Sequence, residues 1–189
     1  MTATTEEPIR RRRFNVADYH RMGEAGILGE DDRVELIDGE IIEMTPLGSP
    51  HSGRVKQLNY LLTRAVGERA IVAAQDPVIL DDRSEPEPDL ALLRPRADFY
   101  KESHPQSGDV LLLIEVADTS IEKDRRVKVP LYARHGIPET WIVDTEHRCV
   151  LRFADPRDGY YQAQEGIDLS TPVPLPGLPG CAVDLSGLF

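Results

Sequence analysis

Two acids stand where apolar strands would not be expected to carry them. Val110-Leu111-Leu112-Leu113-Ile114-Glu115-Val116 is the most apolar run of the chain, and Glu115 lies near its end. An ionised carboxylate in such a strand is expensive unless a cation compensates it. An Arg or Lys partner, such as Arg33 or Arg126, would make Glu115 half of an internal salt bridge. A metal ion would make it a ligand. Asp89 opens a second apolar run, Asp89-Leu90-Ala91-Leu92-Leu93, directly after Pro88. If the two strands are neighbours, both carboxylates converge on one point. Two carboxylates with waters and a substrate phosphate form a usual Mg²⁺ site, and Mn²⁺ can stand in for Mg²⁺. Such an ion lowers the pKa of a water and neutralises charge building on a phosphate. A lysine close by would stabilise the same charge.

Further residues could line such a site, each with a plainer alternative. Gln75 stands at a strand end before Asp76-Pro77. His51, at the start of a helix, could meet phosphate or water, or lie on the helix surface. Tyr132 could hydrogen-bond a site acid or serve the core. Glu35 alternates with Val34 and Leu36, which turns it outward unless its hairpin is covered on both faces. His104, His135 and His147 lack zinc spacing.

The elements that must position these residues can be read in order. Asn15 or Asp18 caps a first helix reaching about Ala25. Arg33–Ile37 and Glu40–Met44 flank Asp38-Gly39, the strongest short hairpin signal. Ser49-Pro50 opens a second helix, with Ser as cap. Its buried stripe is Val55, Leu58, Leu61, Leu62, Ala65 and Val66, and Gly67 closes it. Ile71–Gln75 and Pro77–Leu80 read as a strand or a bulged pair, followed by a polar, Pro-rich loop over 81–88. The 89–93 strand, a charged connection over 94–109 and the central 110–116 strand come next.

Asp118, Thr119 and Ser120 offer caps for a helix through about Arg134. Pro130 lies inside that helix, where it would delay the start or kink the axis. Pro138–Asp144 is another buried strand. Cys149–Phe153 and Tyr160–Gln164 form a hairpin around residues 155–159. The order predicts a mixed α/β sheet with helices packed on it.

The chain has 189 residues, 40% hydrophobic and 29% charged, with a net charge of −11. This is a globular composition. No apolar run is long enough to span a membrane, and the N-terminus lacks the apolar core of a secretory signal. Two cysteines, Cys149 and Cys181, form neither a disulfide scaffold nor a zinc ribbon. A cytoplasmic location is expected. The acidic balance argues against coating nucleic acid by bulk charge, but not against a nuclease with central carboxylates and a local basic rim. Arg10-Arg11-Arg12-Arg13 is either such a rim or a solvated tail. Residues 1–13 are expected to form a frayed basic arm and 14–189 a single domain.

Pro88-Asp89 followed by Glu115-Val116-Ala117 resembles the PD-(D/E)xK nuclease signature. More of the chain resembles one branch of that superfamily, the Uma family of restriction-endonuclease-like proteins. The matching stretches are Val34–Ile42, Pro86–Leu90, Ile114–Val116, Lys128, Tyr132–Glu139 and Trp141–Asp144, and the likeness runs from about Phe14 to the C-terminus. The resemblance implies a restriction-endonuclease-like core, a central mixed β-sheet flanked by helices. It also implies Mg²⁺-dependent hydrolysis of DNA phosphodiester bonds by a metal-activated water. Carried over, Asp89 and Glu115 would hold the metal. Glu35 would be a third ligand or orient a water. The superfamily places Lys two residues after the acid, where this chain has Ala117. Like the Uma family, it offers a lysine in the following helix: Lys128, with Lys123 as fallback. Asp124, Lys128 and Tyr132 would share one face of a regular helix.

Two functions follow, from different classes. One is a metal-dependent endonuclease acting on nucleic acid, DNA first, for which a homodimer would suit cutting both strands of a duplex. The other is a nuclease-fold binding or regulatory module with weak or no turnover, to which Ala117 and the net charge lend room. A glycosidase-like acid pair is disfavoured by the 6% aromatic content.

Overall fold

The computed structural model of the protein describes residues 11–29, 31–45, 48–118 and 121–189, and of Lys123 the backbone alone. The order of elements is α1 (Val16–Glu24), β1 (Val34–Ile37), β2 (Glu40–Glu43), α2 (Ser49–Val66), β3 (Ile71–Ala74), β4 (Leu90–Leu93) and β5 (Val110–Ala117). Then come α3 (Ile121–Lys123), a π-helical turn (Asp124–Lys128), α4 (Val129–Arg134), β6 (Glu139–Asp144), β7 (Cys149–Arg157) and β8 (Tyr160–Gly166). A short ribbon, β9 (Val173–Pro174) with β10 (Ala182–Val183), closes the chain.

Six strands form one mixed sheet in the order β3-β4-β5-β6-β7-β8. Only β5 and β6 run parallel, and the helical segment 121–134 is the crossover that a parallel pair requires. The sheet is covered on both faces. Leu112, Ile114 and Val116 of β5 pack with Val55, Leu58 and Leu62 of α2 and with the C-terminal residues Leu185 and Leu188. On the opposite face Leu113 of β5 and Ala91 and Leu93 of β4 meet Leu131 and Tyr132 of α4 and Ile37 of β1. Burial on both faces explains why β4, β5 and β6 are near-continuous apolar runs. Among the described residues, no helix is long and apolar enough to cross a membrane.

The β1-β2 hairpin turns through Asp38 (φ 48°) and Gly39 (φ 77°), the two left-handed positions that its Asp-Gly pair predicts. A Cβ at position 39 would lie 2.8 Å from Cβ of Arg13 and 2.9 Å from the Phe14 carbonyl, so this turn needs glycine twice over. Asn15 caps α1 by accepting the Asp18 N–H.

Several expectations need correction. Ser49 is the first helical residue of α2, and the cap is Gly48, which makes no side-chain bond. Residues 77–80 form no strand of the sheet. Val78 and Ile79 instead bond the Pro86 and Pro105 carbonyls, because Pro77 interrupts the chain after β3. The β7-β8 turn sits tightly at Asp158-Gly159, and pairing continues through Pro156 and Arg157. The regular helix expected after β5 is broken into α3, the π-turn and α4. The proposed caps Thr119 and Ser120 lie outside the described residues, as does the side chain of Lys123, the fallback lysine. Most of the basic run's arm, residues 1–10, is also outside them.

Candidate active site

The antiparallel register of β4 and β5 pairs Leu90 with Ile114. One step further along that register, position 89 falls opposite position 115, and directly opposed residues project to the same face. Asp89 reaches the neighbouring strand: its Oδ2 accepts the Val116 N–H at 2.8 Å. The two acids predicted from the apolar runs are therefore brought to one end of the sheet, and both are buried.

Glu115 is met from α4 and the π-turn. Tyr132 donates its hydroxyl to Oε1 at 2.5 Å, and Lys128 Nζ lies 3.2 Å from Oε1 and 3.3 Å from Oε2. Neither Arg33 nor Arg126 serves as its partner; Arg126 instead pairs with Glu122 on the surface. Lys128 also donates to Glu35 Oε2 at 3.2 Å and to the Glu87 carbonyl at 3.4 Å.

Pro130 decides how Lys128 arrives there. It lacks an N–H and falls in the first turn of α4, a position proline tolerates. The five residues before α4 widen into a π-turn, which buries Asp124 and Lys128 while leaving Arg125 and Arg126 exposed. Such turns are rare and are frequently found at functional sites. The straight helix face expected for Asp124, Lys128 and Tyr132 is thus not regular, yet Lys128 and Tyr132 both reach Glu115.

Glu35 is not the solvent-facing hairpin residue that simple alternation predicts; it has no exposed surface. The 81–88 loop runs alongside β1, with Glu85 N–H donating to Leu36 O at 2.8 Å and Leu36 N–H returning a bond at 3.3 Å. That pairing extends the hairpin at the β1 edge, and Lys128 meets the Glu35 side chain from the π-turn. The Glu87 N–H also donates to Glu35 Oε2 at 3.3 Å. The loop is polar in composition, but Ser84 and Glu85 are buried.

His51, in the first turn of α2, places Nε2 3.1 Å from Asp89 Oδ2. Gln75, at φ 57° just beyond β3, accompanies the same acid: its N–H bonds the Asp89 carbonyl at 3.1 Å, and its Nε2 is 3.5 Å from Oδ1. Glu35, His51, Gln75, Asp89, Glu115, Lys128 and Tyr132 thus lie in one network of contacts, joined between Asp89 and Glu115 through the Val116 N–H. Sequence reasoning missed Glu87 and the burial of Asp124. Alternation of Pro and Glu over 85–88 was the only available signal for Glu87.

The electrostatics are those of several buried acids acting on one another and on Lys128. Burial pushes the Glu115 carboxyl up to about 8; Lys128 opposes this, while Asp124 and Asp89 add to it. Burial disfavours the Lys128 ammonium, but Glu115, Glu35, Asp124 and Asp89 outweigh that and hold it above the usual lysine range. Burial, then Glu115 and Glu35, raise the Tyr132 phenol, so it remains a donor. Burial and Glu35 likewise raise Glu87. The hydrogen bond to Asp89 raises His51 against the opposing effect of burial.

The donor set fits a hard divalent cation. Asp89 and Glu115 are buried carboxylates at one end of the sheet, and Asp89 adds to the upward push on the Glu115 carboxyl. Among the described residues, no three His, Cys, Asp or Glu side chains form a ready-made cage. Mg²⁺ does not require one, because it usually keeps several waters and takes one or two carboxylates.

A family model described as "Uma2: Putative restriction endonuclease" matches residues 16–186. A crystal structure of "a putative nuclease belonging to DUF820" from Anabaena variabilis ATCC 29413 shares the fold, with a TM-score of 0.70. The two chains are 16% identical, and the match covers 93% of this chain and 97% of the other. No curated protein matches the chain.

Proposed function

Since the chain belongs to the Uma2 family, we propose that it is a Mg²⁺-dependent endonuclease that hydrolyses phosphodiester bonds of DNA. The observation that carries this reading is the convergence of Asp89 and Glu115 at one strand end, with Lys128 Nζ 3.2 Å from Glu115. Asp89 and Glu115 are the residues that would hold Mg²⁺, with Mn²⁺ able to replace it. When bound, the ion supplies Lewis acidity to the phosphate and lowers the pKa of a water.

The chain's own residues do the remaining work. Lys128 brings positive charge to the place where charge builds on a phosphate undergoing in-line attack. Glu35 and the Glu87 carbonyl keep that ammonium at the strand end when phosphate is absent. Tyr132 fixes the Glu115 carboxylate through Oε1. Ile37 of β1 and Leu131 of α4 pack on the apolar surface next to this point and hold the elements that carry Glu35, Lys128 and Tyr132. A homodimer would present two such sites to the two strands of a duplex.

The alternative, a nuclease-fold binding or regulatory module, is favoured by one observation. Ala117 is fully buried at the position where the superfamily signature has its lysine. A plasmid-nicking assay separates the two readings. Wild-type protein is expected to nick with Mg²⁺ or Mn²⁺ and not with EDTA, and folded Asp89→Ala and Glu115→Ala proteins are expected to be inactive. Metal-independent nicking, or nicking by either variant, would overturn the proposal. Mg²⁺-independent DNA binding without cleavage would favour the module.

A further inference from the structure

We propose that His51 is a positioning residue that dedicates one oxygen of Asp89 to the protein and so sets which oxygen faces the metal. This inference rests on the reading of Asp89 and Glu115 as metal ligands.

The geometry divides the Asp89 carboxylate unevenly. Oδ2 receives two donors, His51 Nε2 at 3.1 Å and the Val116 N–H at 2.8 Å. Oδ1 has a single, long contact, 3.5 Å from Gln75 Nε2. A carboxylate whose second oxygen takes two bonds cannot rotate without breaking both. Val116 belongs to the peptide unit that follows Glu115, so the same oxygen also pins the backbone at the second acid. The three bonding partners come from α2, from the residue just beyond β3 and from β5, so a helix and two strands of the sheet meet at this carboxylate.

His51 is suited to hold rather than to react. It is 8% exposed, which leaves it little access to a water or a substrate phosphate. Its backbone lies in the first turn of an 18-residue helix whose apolar stripe, Val55, Leu58 and Leu62, is locked into the core. Thus the imidazole is placed by the rigid face of α2, while the carboxylate it holds is placed by the sheet. Partners of this kind orient metal ligands, and their loss typically costs about 10- to 100-fold in metal affinity or activity.

The test uses the full chain with His51→Ala and His51→Gln; the glutamine amide can restore a donor near the position of Nε2. Two quantities are measured. The first is the Val116 amide ¹H–¹⁵N resonance in EDTA, which reports the Val116–Asp89 bond without metal. The second is the Mn²⁺ dissociation constant by titration calorimetry. The expected result is a Val116 shift in His51→Ala in the direction seen for Asp89→Asn, together with about 10- to 100-fold weaker Mn²⁺ binding. His51→Gln should recover most of both.

An unmoved Val116 amide in a folded His51→Ala protein would overturn the inference. So would equal losses in the alanine and glutamine variants, which would mean that only imidazole packing matters. If wild-type protein bound no Mn²⁺, the metal reading of the site would fail. The Val116 amide would still decide whether His51 holds Asp89.

Discussion

Glu115 on β5 and Glu139 on β6 are both acids buried in apolar strands of one sheet, yet their surroundings differ in kind. Glu139 is fully matched. Trp141 Nε1 donates to Oε1 at 2.6 Å and Arg152 donates to Oε2 at 2.8 Å, one donor for each oxygen. Arg152 is half-exposed, and its other arm pairs with Glu165 at 2.9 Å on the neighbouring strand. Glu115 instead shares Lys128 with Glu35, and its carboxyl is pushed up to about 8 by burial with Asp124 and Asp89 close by. A structural acid carries its own cation to the sheet edge. Glu115 shares its cation with a second buried acid, and Asp89 acts on it from the start of the neighbouring strand.

The largest separation between the two acids should appear in cleavage. If Asp89 and Glu115 hold the metal as proposed, Glu115→Gln and Asp89→Asn weaken that hold, and losing several kcal/mol of transition-state stabilisation corresponds to a rate loss of about a thousandfold or more. Glu139→Gln should leave the rate within about twofold, since surface-linked acids of this kind do no chemistry. Plasmid nicking under saturating Mg²⁺ measures both. If Glu139→Gln proved as damaging as Glu115→Gln, the distinction between the two acids would collapse.

Stability should separate the two cations next. Lys128→Met leaves Glu35 and Glu115 buried without their shared ammonium, and breaking a buried pair costs about 3–5 kcal/mol. Adding Glu115→Gln should return part of that loss, a non-additive result expected of contacting residues. Arg152→Met should cost about 1 kcal/mol, because its half-exposed guanidinium is screened by water. Urea denaturation in EDTA gives all three values.

Metal addition sharpens the contrast from the other side. An ion that binds only the folded state stabilises it by about 2.7 kcal/mol at a hundredfold excess over its Kd. Mg²⁺ or Mn²⁺ should therefore raise the melting temperature of the wild type and of Glu139→Gln alike, and leave Glu115→Gln nearly unmoved. Equal shifts in all three would place the ion away from β5.

The two acids also mark how far the sequence was legible. Glu115 and Asp89 stood out because local context sufficed: a charge in a seven-residue apolar run is anomalous wherever the strand ends up. The hairpin and α2 were readable for the same reason, since Asp38-Gly39 and the α2 stripe are local signals. Glu35 was not, because its burial depends on the 81–88 loop pairing with β1 across some fifty residues, and alternation within the strand pointed the wrong way. Lys128 was found through family resemblance, not through any periodicity. The role of Glu139 as a matched acid was equally hidden, since Arg152 meets it only once β7 has paired with β6.

Pro130 gives the smallest expected effect and tests what sets the π-turn. Proline deprives that stretch of one N–H, so a regular helix through residues 124–134 would lack a bond there in any case. The turn, however, is also held by its side chains: Lys128 is bound to Glu35, Glu115 and the Glu87 carbonyl, and Asp124 is buried. If these contacts dictate the geometry, Pro130→Ala should keep Lys128 on Glu115. Stability should then fall by less than about 1 kcal/mol, mainly through a looser unfolded chain. Nicking activity should stay within about twofold, as expected when no group of the site is altered. If proline dictates the geometry, the segment should relax to an α-helix, which advances each residue by a different angle per turn and carries Lys128 off the acids. Pro130→Ala would then share the stability loss of Lys128→Met. A denaturation curve decides between a turn imposed by the backbone and one imposed by the charge it delivers.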